Sequence, residues 1–458
     1  MKKVDSPPDY KAILKKIENP LAVMKLLQAV SANIQEFNQY YHWEELKYRE
    51  TPNGFSREEW WTVLKMRRHS VERSTVVPYN GGLNFWWTMP DELVEMLHQI
   101  DVQSGIVVNV DEKQVIDVAS AAYLRETSPL FEAVTSSQLE GAPTTWADAK
   151  EMVRVGRSPR DVGERMILNN YKAMQLIVQH HDEDLTPSFI LELHRILTDM
   201  TLEKEDAAGR YRQADEFVRV ADMEGTIFHL PPPADGLPDA MEQLCRFANR
   251  KDADGRYIPD IVRAIILHFW MAFEHPFVDG NGRVARALMY WSLLRSGYSI
   301  FEFVSISNIL KKAPSRYVRA FLYTETDEGD LTYFILHQVD AILQAIAAFK
   351  EYTARKADKL KKSERTLLNL GFPSRLRGLL AYSLHHPKSV LTIAACQRMT
   401  GVSYATARGD LLDLARRGLL EMHKEGRAFC YYPVSDLEER LAVASQGRNS
   451  VGCRSIVP

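Results

Sequence analysis

Cysteine is scarce in this chain of 458 residues, which contains only Cys245, Cys396, Cys430 and Cys453. No two of them form a CxxC pair, so the sequence lacks the spacing typical of a structural zinc site or a dithiol redox motif. Such distant cysteines do not suggest a disulfide framework, and free thiols are typical of a reducing compartment. We therefore expect a cytoplasmic protein with buried thiols.

Net charge and long apolar runs are also limited. The 57 Lys and Arg nearly balance the 60 Asp and Glu, which excludes a chain-wide field that would favour nucleic acid or a membrane surface. The start, MKKVDSPPDYKAILKK, lacks the apolar core of a secretion signal, and we expect no run long enough to cross a membrane. With 45% hydrophobic residues, the chain can bury the cores of about two to four domains.

The most informative stretch is HPFVDGNGRVAR, residues 275–286. The apolar run before it, PDIVRAIILHFWMAFE, predicts a buried helix that ends at His275, because Pro276 disfavours helical backbone for the residue before it. Gly-Asn-Gly at 280–282 tolerates positive φ, and RVARALMYWSLLRSG predicts a second helix directly afterwards. Backbone N–H groups that converge at a helix N-terminus favour phosphate.

Charged side chains surround that predicted concavity. Arg283 and Arg286 are three residues apart on one helix face, so both could reach a polyphosphate. Asp279 would repel phosphate unless a hard cation such as Mg²⁺ lay between them. His275 stands at the entrance, and imidazole has an unperturbed pKa suited to a general base.

The segment resembles the Fic signature, His-x-Phe-x-Asp/Glu-Gly-Asn-Gly-Arg-x-x-Arg, at every fixed position. Fic proteins are mostly enzymes that transfer AMP from ATP to a Ser, Thr or Tyr hydroxyl of a protein. The resemblance implies a mainly α-helical Fic core with a small β-hairpin, ATP as the substrate and Mg²⁺ at Asp279. It implies His275 as the catalytic base, and nucleotide contacts at the other fixed positions: Phe277, Asp279, Gly280, Asn281, Gly282, Arg283 and Arg286.

A second motif lies upstream, in SPLFEAVTSSQLEGAP. The pattern predicts a helix from Pro129 to Gly141, with Ser136 and Glu140 four residues apart on one face. Ser-x-x-x-Glu-Gly resembles the inhibitory motif of Fic proteins, in which the glutamate pairs with the last arginine of the signature and excludes the γ-phosphate of ATP. The resemblance implies autoinhibition by a built-in N-terminal helix, with Glu140 holding Arg286.

A β-hairpin is predicted between residues 209 and 233, where FVRV and TIFHL are short extended runs joined by a Gly-containing loop. In Fic proteins such a hairpin, the flap, aligns the target segment by main-chain pairing. The resemblance implies that Ile227, Phe228 and His229 position the target. A purely structural hairpin is the alternative.

Other polar residues carry weaker signals. His180, His181 and His194 lack a third partner at metal-ligand spacing, so we interpret them as surface or core residues. Asn308 and Tyr317 are candidates for contact with the nucleotide base, although their spacing does not require it.

The chain divides into five predicted segments: an N-terminal helical domain (1–115), the Fic domain with its inhibitory helix (116–348), a linker helix (349–372), a winged helix-turn-helix domain (373–440) and a disordered tail (441–458). The aromatic residues of the first segment, including Trp60, Trp61 and Trp86, are interpreted as packing residues rather than a stacking platform.

The winged-helix interpretation rests on the order of turn signals. Gly401 ends a short helix, Ser403 caps a longer one that runs to Arg417, and two strands flank Glu425-Gly426. This order resembles a winged helix-turn-helix with residues 404–417 in the recognition position. Over 373–440, Lys plus Arg exceed Asp plus Glu only ten to seven, and a DNA reader should be more basic than that. This balance favours protein docking or dimer formation, with DNA binding as the alternative.

Three functional hypotheses follow. The favoured one is AMP transfer to a target protein, including the chain itself, with Glu140 as the inhibitor. The first alternative is removal of AMP at the same site, with Glu140 positioning a water molecule. The second is a DNA-binding regulator whose Fic domain senses a nucleotide. The target, the type of hydroxyl, the nucleotide preference and a homodimeric state stay open.

Overall fold

A computed structural model describes residues 4–17, 20–31, 39–52, 54–79, 82–108, 118–221, 225–251, 257–385, 389–425 and 428–449. The chain forms two compact units, which we call unit 1 (1–349) and unit 2 (350–458). The predicted border between residues 115 and 116 lies outside the described residues. The rest of the predicted N-terminal domain belongs to unit 1.

The described part of the chain is mainly helical. The helices that begin in unit 1 are α1 (Tyr10–Lys16), α2 (Pro20–Ser31), α3 (Trp43–Leu46), α4 (Arg57–Ser70), α5 (Asp91–Val108), α6 (Val118–Leu139), α7 (Trp146–Val155), α8 (Val162–His180), α9 (Pro187–Thr198), α10 (Leu237–Ala248), α11 (Asp260–Glu274), α12 (Asn281–Arg295), α13 (Ser307–Lys312), α14 (Pro314–Thr326) and α15 (Thr332–Asn369). Those of unit 2 are α16 (Ser374–His385), α17 (Ile393–Thr400), α18 (Tyr404–Arg416) and α19 (Leu437–Asn449).

The strands form small antiparallel sheets. They are β1 (Arg73–Pro78), β2 (Asn84–Trp87), β3 (Val220–Ala221), β4 (Ile227–His229), β5 (Leu391–Thr392), β6 (Leu420–Glu425) and β7 (Ala428–Pro433). β1 pairs with β2, and β3 pairs with β4, whereas unit 2 has a three-stranded sheet in the order β5-β7-β6. The predicted hairpin is present as β3 and β4, with strands shorter than the extended runs suggested.

α11 and α12 form the centre of unit 1. Both are buried on nearly all sides and pack on each other, although α12 buries polar residues as well as apolar ones. α6, α8 and α9 pack around α12. The segment between α11 and α12 is therefore held between the two most buried helices of unit 1.

Two predictions about α6 and the chain end were wrong. α6 begins at Val118, so Pro129 lies inside it rather than at its start. A proline in a helix interior removes one backbone hydrogen bond, and here the helix continues through that defect. The predicted disordered tail is helical as far as Asn449, where α19 ends, and residues 450–458 lie outside the described residues.

The N-terminal aromatic residues are buried, as the packing interpretation requires. Trp60 and Trp61 belong to a small apolar cluster between α2 and α4, while Phe85 and Trp87 join the main core of unit 1. Cys245 and Cys396 are buried free thiols, and Cys430 is also buried.

One helical segment is longer and more apolar than the sequence reading allowed. Thr332–Arg355 is long and apolar enough to cross a membrane, by length and composition alone. The expectation that no run reaches that length was therefore wrong. Of this segment, 61% is buried inside the protein, because its apolar face packs in the core of unit 1.

Candidate active site

His275 stands at the end of α11 in a left-handed conformation, with φ at 48°. Its Nδ1 donates to the carbonyl oxygen of Ala272 at 3.1 Å, so the proton resides on Nδ1 and the lone pair on Nε2 is free. Burial lowers the pKa of His275 to about 4, although the bond to Ala272 opposes that shift. The imidazole is therefore neutral near pH 7 and can accept a proton at Nε2.

The loop between α11 and α12 is closed by its own side chains. The amide of Asn281 accepts from the N–H of Phe277 at 2.9 Å and donates to the carbonyl of Phe277 at 2.8 Å. Gly280 has φ at 85°, and its N–H donates to Oδ1 of Asp279 at 2.6 Å. The Asn281 side chain thus braces the loop, and its predicted contact with nucleotide is left to its backbone.

Arg283 is tied to protein groups. Its guanidinium donates to the carbonyl of Leu197 at 2.9 Å and to Oδ2 of Asp279 at 3.3 Å, with only 1% of the side chain exposed. Burial lowers its pKa, and the carboxylate of Asp279 acts in the opposite direction. Arg283 therefore anchors α9 to the loop and adds positive charge close to it.

Arg286 faces α6. Its NH2 donates to Oε1 of Glu140 at 2.8 Å and to the carbonyl of Ser136 at 3.1 Å, and its Nε donates to Oγ of Ser136 at 2.9 Å. Burial alone would raise the pKa of Glu140, but the charge and hydrogen bond of Arg286 hold it below its usual value. Both Ser136 and Glu140 thus contact the last arginine of the signature.

The carboxylate of Glu140 also lies over the first turn of α12. A Cβ built on Gly282 would overlap Oε1 of Glu140, so only glycine leaves room for the carboxylate at this position. The first N–H groups of a helix have no intrahelical partners and carry a partial positive charge. The Glu140 carboxylate therefore occupies the place where the N-terminus of α12 and Arg286 together favour an anion.

The hairpin is fastened beside His275 by His229. Its Nε2 contacts the carbonyl of Phe273 at 2.7 Å and its Nδ1 contacts Glu325 at 2.8 Å. Burial would lower the pKa of His229, but the Glu325 carboxylate raises it, and two acceptor partners favour the imidazolium. Phe228 packs in a small apolar cluster and Ile227 is exposed. Of the three predicted flap residues, the structure thus leaves Ile227 accessible and uses the other two to hold the strand.

His194, which the sequence analysis interpreted as a surface or core residue, is buried and supports the loop. Its ring stacks on Phe277 with centroids 3.7 Å apart, accepts from the N–H of Gly209 and donates to the carbonyl of Asp279 at 3.0 Å. Burial lowers its pKa to about 4, so it is neutral. Its position 85 residues from Asp279 left no local signal.

Glu132 is a second residue that the sequence did not single out. Its buried carboxylate accepts from the hydroxyls of Tyr290 at 2.9 Å, of Ser305 at 2.6 Å and of Ser307. These bonds join α6 to α12 and to the start of α13. The spacing of Glu132, Ser136 and Glu140, four residues each, could have suggested one continuous contact face.

Tyr317 lies beside Arg286 rather than at an established base site. Its hydroxyl is 2.8 Å from Nε2 of His268, and burial raises its pKa to about 12 despite the opposing charge of Arg286. Asn308, the other candidate for base contact, lies in the first turn of α13, and its backbone N–H donates to Oγ of Ser305. Their contact with a nucleotide stays a prediction.

The residues present fit a magnesium ion only as part of a phosphate complex. Among the described residues there is no group of three or more His, Cys, Asp or Glu that could hold a metal by itself. Asp279 has 58% of its side chain exposed at the loop. Mg²⁺ commonly takes one or two carboxylates together with substrate phosphates, so one exposed carboxylate beside a phosphate site is sufficient.

Residues 184–293 match the model of the Fic/DOC family. The chain is similar to the protein adenylyltransferase Fic of Nematostella vectensis, with 34% identity over 116 residues, which are 25% of this chain and 24% of that protein. It is also similar to the protein adenylyltransferase Fic of Drosophila grimshawi, with 24% identity over 295 residues, covering 61% of this chain and 56% of that protein.

The structure resembles that of a Fic family protein from Desulfovibrio desulfuricans G20, with a TM-score of 0.52 and 17% identity over 76% of this chain and 97% of that chain. At this identity the likeness concerns the fold alone. The chain spans about a quarter to a little over half of the length of the two curated relatives. The match to the Fic/DOC family lies within unit 1 and includes the loop between α11 and α12.

Proposed function

We propose that this Fic-domain protein is an adenylyltransferase that moves AMP from ATP to a hydroxyl group of a protein, and that Glu140 keeps it inactive. The observation that carries the proposal is the ion pair between Glu140 and Arg286 at the N-terminus of α12. The names of the curated relatives, protein adenylyltransferase Fic, support the reaction class.

The proposed nucleotide site is the concavity that Glu140 now fills. Its positive groups are Arg286, the first N–H groups of α12 and, deeper, Arg283. A phosphate and the Glu140 carboxylate compete for the same charges, and two anions in one poorly hydrated place repel each other. ATP therefore binds productively only when Glu140 leaves, and the equilibrium between these states sets the basal activity.

His275 supplies the base. The hydroxyl oxygen of the target forms a bond to the α-phosphorus, the bond between that phosphorus and the bridging oxygen of the β-phosphate breaks, and pyrophosphate leaves. The hydroxyl proton goes to Nε2 of His275, which is neutral and unprotonated near pH 7. Mg²⁺, when bound at Asp279 and the phosphates, would neutralise part of their charge.

The hairpin offers an edge for the target. β4 pairs with β3 on one side, and no other strand in the described part of unit 1 pairs with it. An extended segment can pair with such an edge through main-chain bonds that do not depend on its sequence. The bond from His229 to Phe273, two residues before His275, fixes this edge relative to the base.

The test is labelling with ATP that carries the label on the α-phosphate, followed by intact-mass analysis. We expect weak labelling by the wild type, at least about tenfold more with Glu140→Gly, and a loss of about 100-fold or more when His275→Ala is added. His180→Ala in the Glu140→Gly background is a matched control, because His180 is a partly exposed histidine at the end of α8, where it pairs with Glu183. Equal labelling by wild type and Glu140→Gly would contradict the inhibitory role.

Removal of AMP is the second candidate. Oε1 of Glu140 accepts from Arg286, whereas Oε2 has no hydrogen bond to the described residues and 28% of the side chain is exposed. That oxygen could orient a water molecule. Incubation of an adenylylated protein with the wild type and with Glu140→Gln distinguishes AMP transfer from AMP removal, because only AMP removal requires the Glu140 carboxylate. Release by wild type that is lost in Glu140→Gln would favour this candidate.

A further inference from the structure

Charge is distributed very unevenly between the two units. Residues 350–458 contain 19 Lys and Arg against 10 Asp and Glu, whereas residues 1–349 contain 38 against 50. The near-neutral balance of the whole chain therefore hides an acidic unit 1 and a basic unit 2. A basic unit on an otherwise acidic chain indicates a polyanionic partner for that unit.

Unit 2 has its own core and a defined order of elements. The order is α16, β5, α17, α18, β6 and β7, with β7 between β5 and β6 in the sheet. Gly401 ends α17 with φ at 68°, and Ser403 caps α18 by accepting from the N–H of Thr406. Two helices joined by a three-residue turn and followed by a β-hairpin form a helix-turn-helix with a wing.

The acidic residues of α18 are not on its open face. Asp410 is buried and accepts two hydrogen bonds from Nε of Arg375, and Asp413 is paired with Arg417 at 2.9 Å. Each pair also occupies one of the ten arginines and lysines counted over residues 373–440, so the net charge is unchanged, but both carboxylates of α18 have a cationic partner. The paired arginines reduce the repulsion that these two carboxylates would exert on a polyanion.

The open face of α18 carries a tyrosine, two small residues and an arginine. Tyr404 is 60% exposed, and Ala405, Arg408 and Gly409 are exposed beside it. Arg408 makes no ion pair with any described residue, and the same holds for Arg398, exposed near the end of α17. Small residues let a helix backbone approach a groove closely, and an unpaired guanidinium can donate to phosphates or to guanine.

We propose that unit 2 binds duplex DNA, with the N-terminal half of α18 in the major groove. The groove of B-form DNA is about 12 Å wide and admits a helix, and the second helix of a helix-turn-helix presents its N-terminal residues to base edges. Arg408 contacts a base edge or phosphate, and Arg398 contacts the backbone. This proposal does not depend on the reaction at His275.

The experiment measures fluorescence anisotropy of a labelled random-sequence DNA duplex with the full-length protein at several salt concentrations. We expect micromolar affinity near 50 mM salt that falls steeply as salt rises, because phosphate contacts release counterions. Arg408→Gln should weaken binding about fivefold or more and reduce the salt slope by about 1, and Arg398→Gln should act in the same direction.

Arg417→Gln is the matched control. It removes the same charge at the C-cap of α18, but Arg417 is paired with Asp413 and lies over the ring of Phe372, at the opposite end of the helix from the proposed contact residues. Near-wild-type binding by Arg417→Gln, with both other variants impaired, supports the proposal. Equal loss in all three variants would overturn it, as would equally tight binding of duplex RNA, whose major groove is too narrow for a helix, or displacement of DNA by polyglutamate. Thermal melting of each variant verifies that it is folded.

Discussion

The two sides of the N-terminus of α12 are built in different ways. On the loop side, the bonds that close the turn join residues at most four apart, such as Phe277 with Asn281. Longer-range bonds there, from His194 to Asp279 and from Arg283 to Leu197, tie the loop to α9. On the α6 side, they join residues 146 to 175 apart, such as Glu140 with Arg286 and Glu132 with Ser307. Both sides meet around Gly282.

This difference suggests that the loop keeps a constant shape, whereas the contact with α6 can be regulated. Local bonds form whenever the chain around them takes its helical and turn conformation, so the loop keeps its shape in every state of the folded protein. Long-range bonds depend on the docking of α6, and docking can be reversed without unfolding the loop. The loop is therefore suited to catalysis, and α6 is suited to regulate it.

Exposure also differs between the residues that brace the loop and the inhibitory glutamate. The side chains of Asn281 and Arg283 are almost completely buried, whereas 28% of the Glu140 side chain is exposed. A partly exposed carboxylate gains hydration when it leaves Arg286, which lowers the free-energy cost of its release. Three substitution or pH experiments follow from this comparison, in addition to those above.

The largest effect is expected for the loop. Asn281→Ala removes both bonds to Phe277 and leaves a buried N–H and a buried carbonyl without partners, which costs about 2 to 4 kcal/mol of unfolding free energy. We expect labelling in the Glu140→Gly background to fall about 100-fold or more, because the turn before α12 loses its shape. Denaturant unfolding and labelling rates measure the two effects.

Asn281→Asp is the comparison for that experiment. It keeps the acceptor for the N–H of Phe277 but loses the donor to its carbonyl, so its loss of stability should be smaller. An Asn281→Ala variant that is destabilised but labels normally would show that the loop does not depend on this amide.

An intermediate effect is expected on the α6 side. Glu132→Ala removes the carboxylate that accepts from Tyr290 and Ser307, which loosens α6 and lets Glu140 leave Arg286 more often. Labelling should rise several-fold, less than with Glu140→Gly, and unfolding free energy should fall by about 1 to 3 kcal/mol.

The double variant tests whether Glu132 acts through Glu140. In the Glu140→Gly background, Glu132→Ala should give no further increase, because the inhibitory carboxylate is already absent. An additional increase in the double variant would mean that Glu132 influences the reaction by another route.

The smallest effect concerns the pKa of His275, which lies on the loop side but is influenced by Glu140. Burial is the largest cause of its lowered value of about 4, and Glu140 raises it only in part. Removal of Glu140 should therefore lower this pKa further by a small amount. Protonation of His275 should not change the labelling rate between about pH 6 and 8. Titration of the histidine signals by NMR measures the change in the pKa of His275.

The sign of the linked stability follows from the same pKa. Because the folded-state pKa of His275 lies below its unfolded value of 6.5, the unfolded chain binds this proton first as the pH falls. The contribution of this group is thus most favourable above pH 6.5 and declines toward pH 4. A labelling rate that falls as the pH is lowered, with a midpoint near pH 6.5, would contradict a buried base that is neutral at that pH.

Several features of the site could be predicted because their signals are local. Pro276 after His275 predicts the end of α11, and the Gly-Asn-Gly run predicts the turn before α12; both are present. The contact of Glu140 with Arg286 followed only from the resemblance to a known motif. The start of α6 was predicted incorrectly, because a proline typical of a first turn lies in its interior here.

Other features had no local signal. The stacking of His194 on Phe277 joins α9 to the loop, and the network of Glu132 joins three helices. No periodicity distinguishes a histidine or glutamate of this kind from others on an amphipathic helix. In unit 2, the count of charges was available from the sequence, but the pairing of Asp410 and Asp413 was not.

By itself, the sequence determined the two helices around the signature, the turn that joins them and which side chains that turn carries. These features depend on residues a few positions apart. Only the tertiary structure decided which carboxylate occupies the anion site and which arginines stay free. Both outcomes depend on how helices that are distant in sequence pack together. That packing determines which charged side chains are buried and which are paired, because the partners are far apart in the chain.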